Sequence, residues 1–130
     1  QYEISDFAIN KESESKHNYG YWQHKEYLGV GAGAVGYVNK QRQYPLKGIE
    51  EYIENPLFYD FEDIDESDVK TEKILLGLRC SNGIEISLFN EQELEKIDDL
   101  IKYDKVYIED NKVFNKNFLL SDELALYILD

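Results

Sequence analysis

The chain has 130 residues, with 14 Lys+Arg against 27 Asp+Glu for a net charge of −13, and a foldable composition of 42% hydrophobic and 14% aromatic residues. So acidic a chain lacks the basic surface that DNA, RNA or anionic lipid requires, and its single cysteine excludes a disulfide framework, a Cys-only zinc site and a self-sufficient iron–sulfur site. No run approaches the roughly 20 apolar residues of a membrane span, and no basic, apolar leader opens the sequence, so a cytoplasmic location is expected.

The charge is unevenly placed. Residues 1–48 sum to +1 and residues 49–130 to −14, and the first segment also holds both histidines, the one tryptophan and six of the eight glycines. Two compositional units, 1–48 and 49–130, are therefore expected to meet near Tyr44–Gly48. The first is too short, too Gly-rich and too poor in Leu and Ile to bury a core of its own. It is expected either to pack on the second unit or, as favoured by a strand-like start at Gln1, to be the end of a larger domain.

In chain order, Tyr2 to Ala8 reads as a strand and Asn10 to Lys16 as a polar surface loop. Asn18 to Tyr27 reads as a short helix with aromatics on one face, and Leu28 to Val38 as a strand punctuated by glycines. Gly48 to Glu54 gives one or two helical turns, stopped before Pro56. Asp60 to Asp68 reads as an acidic linker. Ser67 or Asp68 caps a helix running to Arg79, with Ile74, Leu75 and Leu78 buried and Asn82-Gly83 ending it. Asn90 with Glu93 forms a capping box for a helix whose apolar face is Leu94, Ile97 and Ile101. Val106–Ile108 and Lys112–Phe114 make a hairpin around Asp110-Asn111. Ser121 caps a last helix with Leu124, Leu126, Tyr127 and Ile128. Helix, helix, hairpin, helix is a winged-helix-like order, but Ile84 to Lys105 carries seven acids and three bases. Phosphate would repel it, so a packing or protein-contact module is expected rather than a DNA reader.

Four features bear on chemistry. Gly31-Ala32-Gly33-Ala34-Val35-Gly36 fits the dinucleotide pattern G-x-G-x-x-G, yet only Tyr27–Val30 precedes it and no apolar helix follows, so a Rossmann site is rejected. As a strand, the stretch would place Gly29, Gly31 and Gly33 on one bare face, which marks either close ligand approach or tight packing. His17-Asn18-Tyr19-Gly20-Tyr21-Trp22 gathers an imidazole, an amide and three aromatic rings. On a helix His17 shares a face with Tyr21, with His24 two turns further on near the same side. Taken alone, it reads as a surface histidine beside an aromatic packing cluster. Cys80 has no second Cys or His nearby and reads as a buried thiol. The run Glu62–Glu66 lacks EF-hand spacing and reads as a solvated linker.

Three successive segments resemble one family. They are Tyr2–Ala8, then Ser15–Trp22, then Tyr27–Ala34, with Leu76-Gly77-Leu78-Arg79 and Gly83-Ile84 following in order. The family is that of the HemN/HemW radical SAM proteins, oxygen-independent coproporphyrinogen III oxidases and oxidase-like haem chaperones, and the match falls on its C-terminal part.

The resemblance implies an α+β fold: the end of a radical SAM (β/α) barrel in residues 1–48, then a mainly helical, winged-helix-like domain in 49–130. It implies that His17, Asn18, Tyr21 and Trp22 match the HNxxYW motif associated with haem, favouring the haem-chaperone branch, with His17 the candidate iron ligand. It also places Gly31, Ala32 and Gly33 at the ligand face of the barrel. Val35 stands where the family usually has His, and Asp6 where Asn is usual. The CxxxCxxC motif for the [4Fe–4S] cluster is absent, so cluster and S-adenosylmethionine chemistry would belong to an N-terminal barrel outside this sequence. This piece has no catalytic residue assigned and is expected to be inactive alone. The implied partners are that barrel, a porphyrin or haem, and a haem-recipient protein. The alternative is a stand-alone acidic adaptor that recognises a basic protein surface.

Overall fold

The computed structural model describes residues 1–130. It is a mixed α/β structure with two separate three-stranded antiparallel sheets, and the chain forms two compact units: residues 1–24 with 70–130, and residues 25–69. The compositional change at Gly48 falls inside the second of these.

In the first unit, helix α1 (Lys16–Trp22) starts at Ser15, whose hydroxyl accepts the Asn18 N–H. The expected strand at Tyr2–Ala8 does not form. The backbone makes only a single bridge, Glu3 to Cys80. A carboxylate oxygen of Glu3 accepts both the N–H and the hydroxyl of Ser5, and Tyr2 N–H donates to the Asp6 carbonyl, so local bonds bend the segment away from an extended path.

Helix α3 (Glu66–Gly77) begins in the second unit and runs into the first. Its starting cap is Asp65, which accepts the Asp68 N–H, rather than Ser67 or Asp68. Strand β4 (Ile84–Glu85) follows, with Gly83 at φ +68° in the turn before it. The helix therefore ends several residues short of Asn82-Gly83. Next come α4 (Glu91–Lys102), β5 (Val106–Glu109), β6 (Lys112–Asn115) and α5 (Ser121–Leu129). The sheet order is β4-β6-β5.

The expected capping box on α4 is complete. The Asn90 side chain accepts from Glu93 N–H, and the Glu93 carboxylate accepts from Asn90 N–H at 2.7 Å. Asp110 and Asn111 both sit at positive φ, as a primed two-residue hairpin turn requires. The core joins Ile74, Leu78, Ile84, Phe89, Ile97, Leu100, Val106, Val113, Leu124, Ala125 and Ile128. Two helix faces are rotated from expectation: Leu100 rather than Ile101 is buried on α4, and Ala125 rather than Leu126 or Tyr127 on α5. Ser121 is the first residue of α5 and not its cap. Its hydroxyl lies 2.9 Å from the Leu78 carbonyl and 2.5 Å from that of Phe118, and it accepts from Asn115 Nδ2.

The second unit holds β1 (Gly36–Val38), β2 (Gln41–Pro45), α2 (Ile49–Glu54) and β3 (Tyr59–Asp63), the strands pairing in the order β1-β2-β3. The expected acidic linker thus contains a strand. Its acids face cross-strand partners: Arg42 sits opposite Glu62 with a 3.6 Å ion pair, Tyr44 OH donates to Glu62 at 2.5 Å, and Gln41 Nε2 donates to Asp63 at 2.6 Å. The expected glycine-punctuated strand is also corrected. Only Gly36–Val38 is extended, while Gly31 and Gly33 lie at φ +116° and +70° in a turn closed by Ala34 N–H to the Gly31 carbonyl.

Candidate functional site

Helix α1 carries all four residues of the HNxxYW pattern. His17 and Tyr21, one turn apart, pack edge to face with ring centroids 4.9 Å apart, and the Tyr21 hydroxyl lies 3.1 Å from His17 Nε2. Both are exposed. His17 Nε2 is therefore presented at the surface and held by a phenol.

Asn18 points elsewhere. Its Nδ2 donates to Asp6 at 3.1 Å, the same carboxylate oxygen that accepts from Tyr2 OH, and Tyr2 OH in turn accepts the Ser15 N–H. This chain of bonds ties the start of α1 to the N-terminal segment. Tyr2 also packs against Tyr19, whose hydroxyl is hydrogen-bonded to Ser81. Asp6 and Tyr2 were not singled out from the sequence as site residues. The signal was there only as a family position, Asp6 standing where Asn is usual.

Trp22 is half-buried and forms part of two cavities. The smaller, about 160 Å³, is lined by Glu3, Ser5, Asp6, Asn18, Tyr21 and Trp22. The larger, about 400 Å³, lies on the other side, towards α3 and β4. His24 does not continue the His17 face. The helix ends at Trp22, His24 takes φ +55°, and its enclosed imidazole meets Glu72 at 2.7 Å.

Gly31, Ala32 and Gly33 belong to the second unit, where glycine is demanded by backbone shape and not by a bare strand face. Positive φ sets Gly31 and Gly33, and a Cβ at Gly29 would lie 1.9 Å from the Ala34 carbonyl oxygen. Above Gly31 nothing lies within 4 Å of an added Cβ.

Cys80 is buried, and burial pushes its thiol pKa up, the opposite of what a nucleophile or thiolate ligand needs. No group of three or more His, Cys, Asp or Glu side chains converges as a metal site, and no helix is long and apolar enough to cross a membrane.

No family model matches the chain. Against individual proteins it is 37% identical over 105 residues to the haem chaperone HemW of Bacillus subtilis, covering 77% of this chain and 27% of that protein. It is 30% identical over an alignment of 135 residues to the haem chaperone HemW of Lactococcus lactis, covering 99% of this chain and 33% of that protein. The chain belongs to the HemN/HemW family. It corresponds to the C-terminal part, and spans a third or less of the length of these relatives. Its fold is similar to that of coproporphyrinogen III oxidase HemN of Escherichia coli, a radical SAM enzyme, with a TM-score of 0.56 over 80% of this chain and 28% of that one, at 14% identity. Radical SAM membership implies a [4Fe–4S] cluster and S-adenosylmethionine in a whole HemN/HemW protein. The residues present here do not fit that cluster: one buried, hard-to-ionise cysteine cannot supply a thiolate set.

Proposed function

We propose that the chain serves haem or porphyrin handling, as the haem-binding C-terminal part of a HemW-like protein. The observation that carries this is the exposed His17–Tyr21 pair on α1, in a chain whose relatives bear the name haem chaperone. An imidazole nitrogen is a common axial haem ligand, and aromatic rings suit a porphyrin face. In this reading His17 binds the iron, Tyr21 and Trp22 line the porphyrin, and Asn18, anchored on Asp6, fixes the helix that presents them. Gly31, where nothing lies within 4 Å of an added Cβ, leaves open space for ligand approach, the role the family resemblance gives to Gly31, Ala32 and Gly33.

The same reading makes the early residues the closing piece of a radical SAM barrel, and the helices with the β4-β6-β5 sheet a winged-helix-like cap that meets protein and not DNA. Support comes from the second unit, which exposes Leu28, Val30, Ile49, Ile53, Leu57, Phe58 and Phe61. The remainder of a HemN/HemW protein would cover these side chains in this reading. Radical chemistry then belongs to that remainder, and a haem-recipient protein is the partner downstream.

Titrating haemin into the protein tests the central reading. A saturable, one-to-one Soret shift is expected. A spectrum that stays that of haemin in buffer at all ratios overturns the proposal.

A further inference from the structure

The larger cavity is not used by His17, Asn18 or Tyr21. Its walls come from the end of α1, the last turns of α3, the β4 edge and β6, all within the first unit. At about 400 Å³ it is within the range that holds small organic ligands.

The lining divides by chemistry. Trp22 and Leu88 are apolar, and Gly77 offers backbone without a side chain. Lys73 and Lys112 bring two positive charges against one acid, Glu85, so the cavity is net cationic in a chain of charge −13. Lys112 is held in place: its ammonium donates to the Asn82 carbonyl at 3.3 Å and pairs with Glu85 at 3.3 Å. One of its three N–H donors is left over. Lys73 is exposed and has no acidic partner. An aromatic wall beside two ammonium groups suits a planar apolar body that ends in carboxylates.

We infer that this cavity binds the carboxylate-bearing edge of a planar aromatic anion, with the ring against Trp22 and the carboxylates between Lys73 and Lys112. This rests on the porphyrin reading above and deepens it. The propionates of a porphyrin are the anions in question, and Trp22 is the residue shared with the haem motif.

The probe is metal-free protoporphyrin IX, which keeps the propionates and gives His17 no iron to bind. Its affinity is followed by porphyrin fluorescence anisotropy. Lys73→Glu is expected to weaken binding about three- to tenfold, the scale of one partly exposed charge contact with its sign reversed, and Lys73→Arg to retain it. Because Lys73 is exposed and unpaired, both variants should remain folded, which a cooperative unfolding transition checks. The dimethyl ester of the probe should bind wild type more weakly and be indifferent to Lys73→Glu. Equal affinity of wild type and Lys73→Glu for the diacid, equal affinity of ester and diacid, or no diacid binding at all overturns the inference. Haemin separates the two readings. A saturable Soret shift with Lys73-independent protoporphyrin binding removes the cavity assignment and leaves the haem reading. Lys73-dependent protoporphyrin binding with no Soret shift does the reverse.

Discussion

At the scale of single residues, the His17 nitrogen facing Tyr21 is spoken for before any ligand arrives. Whichever of the two donates the proton, the 3.1 Å bond occupies His17 Nε2, so under the proposed haem role an iron bound through that nitrogen would have to displace the phenol. Tyr21→Phe keeps the ring contact and removes the competitor. It should bind haemin at least as tightly as wild type in the Soret titration, and a weaker affinity would show that the hydroxyl itself contacts the ligand. Cys80 is the opposite kind of residue, enclosed and difficult to ionise. Its thiol should stay unmodified by an aromatic disulfide reagent near pH 7.5 while the protein is folded, and react in full once it is denatured. Rapid labelling of the native protein would place Cys80 at the surface. Asn115 carries more of the stability than any surface ion pair. Its amide donates to the Leu78 carbonyl at 2.8 Å and to Ser121 at 3.1 Å, all enclosed. Asn115→Ala removes both bonds, leaves the Leu78 carbonyl to the Ser121 hydroxyl alone and strips the Asn117 N–H of its Asn115 Oδ1 acceptor, and should cost about 2 kcal/mol in chemical denaturation.

At the scale of elements, what was legible in the sequence was what local rules determine. The α4 capping box, the Asp110-Asn111 turn and the stop of α2 before Pro56 all follow from residues within four positions of one another. Asn90→Ala should accordingly lower stability by about 1 kcal/mol, read from the denaturation midpoint at constant slope. A change within a few tenths would mean the box adds nothing to packing. The strands β2 and β3 were not legible, because Gln41–Pro45 lacks an alternating apolar face and the alternation of Tyr59–Asp63 stops at Tyr59 and Phe61 amid a run of acids. Their pairing rests on cross-strand charge and amide contacts, such as Arg42 with Glu62, between residues about 20 apart. Conversely, Tyr2–Ala8 has a strand-like composition, but Ser5 and Tyr2 satisfy themselves locally. The candidate site shows the same divide. The HNxxYW spacing places His17 over Tyr21 on a helix, which period alone allows. The Asp6 anchor, the turn at Gly31–Gly33 and the Lys73–Lys112 cavity depend on chain segments brought together by folding.

At the scale of the whole molecule, the excess of acid after Gly48 repels itself. Raising salt from about 20 to about 200 mM NaCl should therefore raise the melting temperature, and an unchanged or lower value would show the acids to be already compensated. Alkaline pH acts in one direction. Burial holds the Cys80 and Tyr19 protons on, and the hydrogen bond to Glu62 does the same for Tyr44. Each pKa is raised in the folded state, so the unfolded chain loses these protons first. The stability they contribute is intact below the unfolded values and is lost as pH climbs from about 8.5 upward. All of this describes a scaffold. That scaffold exposes His17 on α1, and His17→Ala tests the proposed haem ligation most directly. At saturating haemin the wild-type Soret band should carry the signature of an imidazole-bound iron, and the variant should lose that band and most of the affinity. A His17→Ala protein with the wild-type Soret band and affinity would contradict the account.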